Sequence, residues 1–280
     1  MPTTILQKER LIPGKTSKLV LDAPHIARKA QPGHFIMLRM SATGERIPLT
    51  VADADPETGR LTIVYLVMGK STALLETLEE GDAIFDVCGP LGHPTHIHTG
   101  GTVVCVGGGT GIAAMHHIAK GHHRAGNRVV AVIGARSKDL LLFEKELSSF
   151  ADELLVCTDD GSYGHKGLVT DLLRERLERD KQVIEVVAVG PVPMMAAVAE
   201  TTRPFGVKTT VSLNPIMVDG IGMCGACRVT VGGQTKFACV DGPEFDGHQV
   251  DFPELRRRLG AFREQEKTSF DKYRCSCHGK

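Results

Sequence analysis

Near residue 100 the sequence changes texture, and that change constrains the fold more than any single motif. From the start to about His98 the apolar residues fall in short β-rich runs, KLVLDA, HFIMLRM, GRLTIVYLVM and DAIFDVCGP, separated by the turn pairs Pro32-Gly33, Asp55-Pro56 and Gly81-Asp82. Strands at this spacing predict a small antiparallel β-barrel. From Gly101 onward, apolar strands alternate with helical stretches: TVVCVGGG, an amphipathic Ile112 to Arg124, RVVAVIGA, a helix near Leu140 to Phe150, then ELLVCTDD and VIEVVAVG. Strands covered on both faces read as unbroken apolar runs, and their alternation with helices implies a parallel sheet. That series is expected to end near Pro204, before a Gly- and Cys-rich segment and a charged, helix-like stretch, PELRRRLGAFREQEK. The expected fold class is multidomain: an antiparallel β-barrel over residues 1–98, an α/β parallel-sheet domain over 99–206, and a small C-terminal domain with its tail over 207–280.

Length and charge narrow the functional classes. A chain of 280 residues with 42% hydrophobic content can bury more than one core. Lys+Arg and Asp+Glu both total 33, so no global field draws the chain to nucleic acid or to an anionic membrane. Neither is an expected partner. No stretch reaches the ~18 apolar residues of a spanning helix, and MPTTILQKER lacks the basic-then-apolar order of a secretory leader. A cytoplasmic location is the expectation. Of eight cysteines, Cys88, Cys105 and Cys157 are scattered and five crowd into the last quarter. That distribution suits metal ligation better than a disulfide framework.

The crowd has a spacing. Within VDGIGMCGACRVTVGGQTKFACVDGP, four residues separate Asp219 from Cys224, two separate Cys224 from Cys227, and eleven separate Cys227 from Cys239. This is the plant-type [2Fe–2S] pattern with the first thiolate exchanged for a carboxylate. Gly220, Gly222 and Gly225 let the loop turn closely with amides aimed at sulfur. The last ligand arrives from a hairpin of RVTV, Gly232-Gly233 and TKFAC. Tetrahedral zinc is the competing reading; it would more usually show a second Cys or His pair beside Cys239, whereas Cys275, Cys277 and His278 lie in the tail. Asp219 before Gly220 also reads as a plain turn aspartate. The pairs His116-His117 and His122-His123 lack the spacing of a helical metal site, and His93, His96 and His98 read as surface or structural residues.

Two further segments offer nucleotide chemistry from their own residues. Gly69, Lys70, Ser71 and Thr72 in VYLVMGKSTALL offer amides, hydroxyls and a positive charge to a phosphate, although a Ser or Thr there also simply caps a helix. Gly107 to Gly111 follow a strand and precede a helix, where a dinucleotide pyrophosphate rests on backbone amides. GARSKDLLLF, TDDGSYGHKGLVTD and GPVPMM close the later strands. With ERIPLTVAD in the barrel, and with GPLG at Gly89 to Gly92, these segments make the chain resemble the ferredoxin-NADP reductase superfamily over nearly its whole length. The branch it resembles holds the electron-transfer subunits of dihydroorotate dehydrogenase, of electron-bifurcating NADH-dependent reduced ferredoxin:NADP oxidoreductases and of sulfide dehydrogenase.

The resemblance implies roles for these residues. Arg46 would meet an FAD pyrophosphate, Pro48 and Leu49 would line the flavin, and the Thr50 hydroxyl would approach flavin N5 as the catalytic contact. Arg46 sits one position further from Thr50 than in the commonest form of the motif. Tyr65, Leu66, Val67, Gly69, Lys70, Ser71 and Thr72 match the second FAD segment. Gly108, Gly109, Thr110 and Gly111, then Arg136, then Asp159, Asp160 and Gly161, and finally Gly190, Pro191 and Met194 match the nicotinamide-nucleotide segments. Val189 stands where relatives often carry a cysteine. Asp219 matches an aspartate cluster ligand of the bifurcating group, beside Cys224, Cys227 and Cys239. The implied cofactors are FAD, a [2Fe–2S] cluster and NAD(H), with Arg136 leaving NADP(H) open. The implied function is hydride exchange between NAD(H) and FAD, with single electrons leaving through the cluster to a large flavin/iron–sulfur subunit. A dihydroorotate dehydrogenase or sulfide dehydrogenase partner is the alternative within the family. A zinc-stabilised nucleotide-binding regulator is the alternative outside it.

Overall fold

The computed structural model describes the backbone of residues 2–278 and side chains from residue 2 to residue 275. The first seven strands are β1 (Thr3–Ile12), β2 (Thr16–Asp22), β3 (Phe35–Arg39), β4 (Ile47–Asp55), β5 (Arg60–Leu66), β6 (Ala83–Ile84) and β7 (Asp86–Leu91). They form one antiparallel sheet in the order β6-β1-β2-β5-β4-β3-β7, curled into a nearly closed barrel. Period-2 alternation sets its interior. Leu19 faces Ile63 and Leu21 faces Leu61 across β2 and β5, and these four pack with Ile5, Ile36, Leu38, Val51 and Tyr65. Each such side chain contributes about 1.5–3 kcal/mol on burial. Two short helices, α1 (Pro24–Ala27) and α2 (Lys70–Glu76), cover the barrel, and Leu75 of α2 enters its core.

The second sheet uses β8 (Thr102–Gly108), β9 (Arg128–Ala135), β10 (Glu153–Thr158), β11 (His165–Lys166), β12 (Val183–Val189) and β13 (Lys208–Ser212), all parallel, in the order β11-β10-β9-β8-β12-β13. Every residue of β8 is buried. Helices α3 (Gly111–Arg124) and α4 (Glu144–Ser148) cover one face, and α5 (Val169–Arg179) and α6 (Val192–Thr202) the other. Two expectations need correction. The helix near Leu140 to Phe150 shrinks to α4, because Leu141 is extended and Phe143 adopts a left-handed φ of 60°, which turns Leu142 into the core. The sheet also runs past residue 206, since β13 pairs in parallel with β12.

The remaining chain forms β14 (Arg228–Val231) and β15 (Gln234–Phe237), joined by Gly232 and Gly233 at φ 58° and 73°, the left-handed pair of a tight hairpin. After α7 (Ala238–Asp241), β16 (Glu244–Asp246) returns to the α/β sheet and pairs antiparallel with β13. The charged stretch expected as one helix is two, α8 (Phe252–Leu259) and α9 (Arg263–His278), separated after Leu259. The Asp251 carboxylate caps α8 by accepting the Glu254 amide at 2.8 Å. From there α9 runs back to α2 on the barrel.

Glu244 fastens β16 to the segment between barrel and sheet: the Thr95 hydroxyl donates to its carboxylate at 2.7 Å. Burial pushes the Glu244 carboxyl up to about 7 from an ordinary 4.5, only partly offset by Thr95. The folded protein therefore holds a proton that the unfolded chain releases first. This contribution is complete below pH 4.5 and is lost as pH rises through 7. Glu244→Gln is expected to flatten that part of the stability–pH curve, read as the melting temperature across the same interval.

Candidate functional site

The two segments expected to hold flavin come together. The Ser71 hydroxyl donates to Glu45 at 2.7 Å, which brings the start of α2 against the loop entering β4. Along β4 the alternation of burial stops: Ile47, Pro48, Leu49 and Thr50 are all half-buried, leaving a face that the protein does not cover. Such an open strand face beside a Gly-Lys-Ser turn fits a planar ring system with a phosphate tail. Lys70 is exposed at this turn. Thr72 acts as a cap: its hydroxyl oxygen accepts the Met68 and Gly69 amides at 3.0 and 3.1 Å. The Arg46 guanidinium lies 3.7 Å from Asp86 and remains half exposed. Tyr65 is a correction. The alternation of β5 turns its ring into the barrel, where the phenol donates to Glu76 at 2.6 Å. Leu66 points the other way, into the nucleotide cavity, and the Val67 amide donates to the Lys15 carbonyl at 2.7 Å.

That cavity holds about 660 Å³. It opens at the carboxyl ends of β8, β9, β10 and β12, where the strand order reverses direction, the usual ligand crevice of an open parallel sheet. Gly108, Gly109, Thr110, Arg136, Asp159, Pro191 and Met194 all line it. Gly111 and Gly190 sit just behind. A Cβ at Gly111 would stand 2.5 Å from the Val189 carbonyl oxygen, so only glycine lets the two loops meet. Asp160 and Gly161 do not line the cavity; they form the adjoining turn, in which the Asp160 carboxylate accepts the Ser162 amide at 2.9 Å and Gly161 has φ 77°. Sequence reasoning missed Ile12, Lys15 and Thr16, which close the cavity from the first barrel hairpin. No periodic signal marks them, because their role arises from the docking of barrel on sheet.

In the third region the Cys227 and Cys239 sulfurs lie 3.2 Å apart and are buried. Backbone amides point at sulfur: Cys239 N is 3.5 Å from Cys227 Sγ, and Ala226 N is 3.5 Å from Cys224 Sγ. Gly220, Gly222 and Gly225 take φ of 77°, 83° and 66°, the left-handed turns that this loop requires. Asp219 bridges the loop, one oxygen accepting the Ile221 amide at 2.9 Å and the other the Cys224 amide at 2.6 Å. Cys224 is exposed and Asp219 is half-buried. Burial first, and then the neighbouring Cys227 sulfur, push the Cys239 thiol up to about 12. The Cys239 sulfur is therefore a thiolate near neutral pH only beside a cationic centre, which is what an iron cluster supplies. Among the described residues no three His, Cys, Asp or Glu side chains converge as a single-ion site. The fit to a metal group rests on the donor chemistry and on the amides around it.

Comparison with known proteins agrees with this geometry. Residues 105–200 match the oxidoreductase NAD-binding domain, and residues 214–251 match the iron-sulfur cluster binding domain of dihydroorotate dehydrogenase B. A Thermotoga maritima protein described as a dihydroorotate dehydrogenase B (NAD(+)) electron transfer subunit homolog is 52% identical over 253 residues, covering 90% of this chain and 89% of that protein. The chain belongs to the dihydroorotate dehydrogenase B electron-transfer subunit family. The corresponding Bacillus caldolyticus subunit is 37% identical, over 86% of this chain and 95% of its own. A chain from the structure of the NADH-dependent reduced ferredoxin-NADP oxidoreductase, solved for its flavin-based electron bifurcation, superposes with a TM-score of 0.91. It is 48% identical and 98% of each chain is covered. This member of the family is thus an oxidoreductase subunit with an NAD-binding domain and an iron–sulfur domain. No described helix is long and apolar enough to cross a membrane.

Gly111→Ala is expected to weaken nicotinamide-nucleotide binding by about tenfold, ~1.4 kcal/mol, with the fold retained. Calorimetric titration of the nucleotide into both proteins measures it.

Proposed function

We propose that the chain is the FAD and [2Fe–2S] electron-transfer subunit of a flavin-based electron-bifurcating, NAD(H)-dependent ferredoxin:NADP oxidoreductase. One observation carries the reading. Thr50 on β4 pairs across the sheet with Phe35 on β3, and Phe35 packs in one apolar cluster with Met37, Cys227 and Cys239. The flavin strand and the cluster ligands therefore share a wall one strand thick. Bound at these faces, FAD would supply exchange of a hydride with the nicotinamide and of single electrons with an iron–sulfur cluster held by Cys224, Cys227, Cys239 and Asp219.

The protein's own residues place and shield these groups. Gly108 to Gly111 and Pro191 bring backbone close to the nucleotide, and Arg136 supplies a cation at the cavity rim. Ser71, Lys70 and Arg46 serve the FAD phosphates, and Thr50 offers a hydroxyl at the reacting edge of the flavin. Cys224, Cys227, Cys239 and Asp219 hold the cluster, with the Cys227–Cys239 pair on the barrel side and Cys224 and Asp219 toward solvent. Val189 in place of a cysteine leaves the hydride path intact, since positioning and not covalent chemistry is asked of that site. A large flavin/iron–sulfur subunit receives the electrons. A second reading, a dihydroorotate dehydrogenase partner, is favoured by the family of the 214–251 segment; mass spectrometry of the native complex separates the two.

The purified protein is expected to contain iron and flavin, to absorb in the visible, and to be bleached faster by NADH than by NADPH. A colourless, iron-free, zinc-containing protein would overturn the proposal in favour of a nucleotide-binding regulator. Asp219→Ala is expected to alter the visible spectrum and potential of the cluster; an unchanged spectrum and potential make Asp219 a turn residue only.

A further inference from the structure

The nucleotide and iron–sulfur motifs leave unexplained why α3 buries two adjacent histidines. This helix begins at the nucleotide loop, packs on β8 and β9, and lays its other side against β4, the strand that carries Thr50. At that contact His117 Nδ1 lies 3.1 Å from the Val51 carbonyl oxygen, and Lys120 Nζ lies 2.6 Å from Asp53 Oδ2. His117 is only 5% exposed, and burial pushes it down to about 4, so the ring is neutral near pH 7. A carbonyl only accepts, so Nδ1 is the protonated nitrogen and donates. For Asp53, burial is the largest single influence and raises the carboxyl, but the Lys120 hydrogen bond and charge, with smaller help from His117 and the Ala54 amide, together hold it below its ordinary value, so the group stays ionised. His116 serves a different purpose. Its ring packs between Phe143 and Phe150, with centroids 5.1 and 5.6 Å away.

The placement of these contacts matters more than their strength. Val51 directly follows Thr50, and His117 follows Gly111 by six residues, about 9 Å of helix. The chain between β7 and β8, residues 92–101, contains no helix or strand. The nucleotide loop and the flavin strand are therefore joined by a short rigid rod and two polar contacts, while the covalent connection is irregular. Hydride transfer requires reacting atoms about 3–3.5 Å apart, and a 1 Å misplacement can cost about 10²-fold.

We propose that His117 and the Lys120–Asp53 pair are positioning residues for hydride transfer, latching α3 to β4 and so fixing the nicotinamide against the flavin. This rests on the electron-transfer reading above. The latch acts on geometry more than on folding: Lys120–Asp53 is a single ion pair that is still partly open to solvent, so its loss leaves the fold intact.

The test uses His117→Leu, His117→Asn, Lys120→Met and the exchange Asp53→Lys with Lys120→Asp, each in the full chain with its cofactors. Two quantities are read: backbone hydrogen exchange over residues 47–55 without nucleotide, and the limiting rate of flavin bleaching by NADH against the nucleotide Kd. His117→Leu and Lys120→Met are expected to exchange faster at Val51 to Asp53 and to lose about tenfold or more in limiting rate, with Kd little changed. His117→Asn, whose amide nitrogen takes the place of Nδ1, and the charge exchange are expected to restore most of both. Unchanged exchange and rate, a loss confined to Kd, or no rescue by asparagine would overturn the latch. If His117→Leu does not fold, Lys120→Met and the charge exchange decide it. A wild-type protein whose flavin is not reduced by NADH contradicts the electron-transfer reading, and the exchange data still judge the latch.

Discussion

Strand β3 is buried on both faces, and the arrangement of the molecule follows from that. Ile36 and Leu38 point into the barrel, while Phe35 and Met37 point out and become the floor under the cysteine loop. A Cβ at Gly220 would come within 2.6 Å of Met37 Cγ, so the loop backbone itself rests on the barrel. One edge of β3 pairs with β4 and the other with β7. A slip of one residue would exchange the two faces and strand the cluster loop, so two cores fix the register of a five-residue strand.

The other regions are tied to this wall from several sides. β16 joins the cluster region to the α/β sheet through β13, and Glu244 of β16 reaches Thr95 in the segment between barrel and sheet. α3 joins the sheet to the barrel through Val51 and Asp53. These contacts close a ring of three units around the nucleotide and flavin faces. An assembly of this kind holds donor and acceptor groups at fixed separation without help from the irregular segments between them, which is what an electron relay asks of a protein.

Much of this was legible in the sequence, for local reasons. Period-2 runs gave the barrel strands, continuous apolar runs gave the parallel sheet, and Gly232-Gly233 marked the hairpin before Cys239. The cysteine spacing identified a loop that the structure wraps as expected, with three glycines at positive φ. What escaped was set by tertiary contacts. β13 and β16 are short and carry no pattern that says which sheet they join. Tyr65 resembled a cofactor residue by position, but the alternation of its own strand sends it inward. Lys15 carried no signal at all, and His117 looked like half of an uninformative pair. In each case the deciding partner lies far away in sequence: Glu76 for Tyr65, the sheet loops for Lys15, and Val51 for His117.

The central claim is that one strand separates the flavin site from the iron–sulfur site, so that reducing equivalents entering at the nucleotide cavity reach the cluster within the same chain. Rapid mixing of the isolated subunit with NADH, followed by freezing and electron paramagnetic resonance, tests it most directly. The account predicts a reduced [2Fe–2S] signal that grows as the flavin absorbance falls. Flavin that bleaches while the cluster stays oxidised would contradict it.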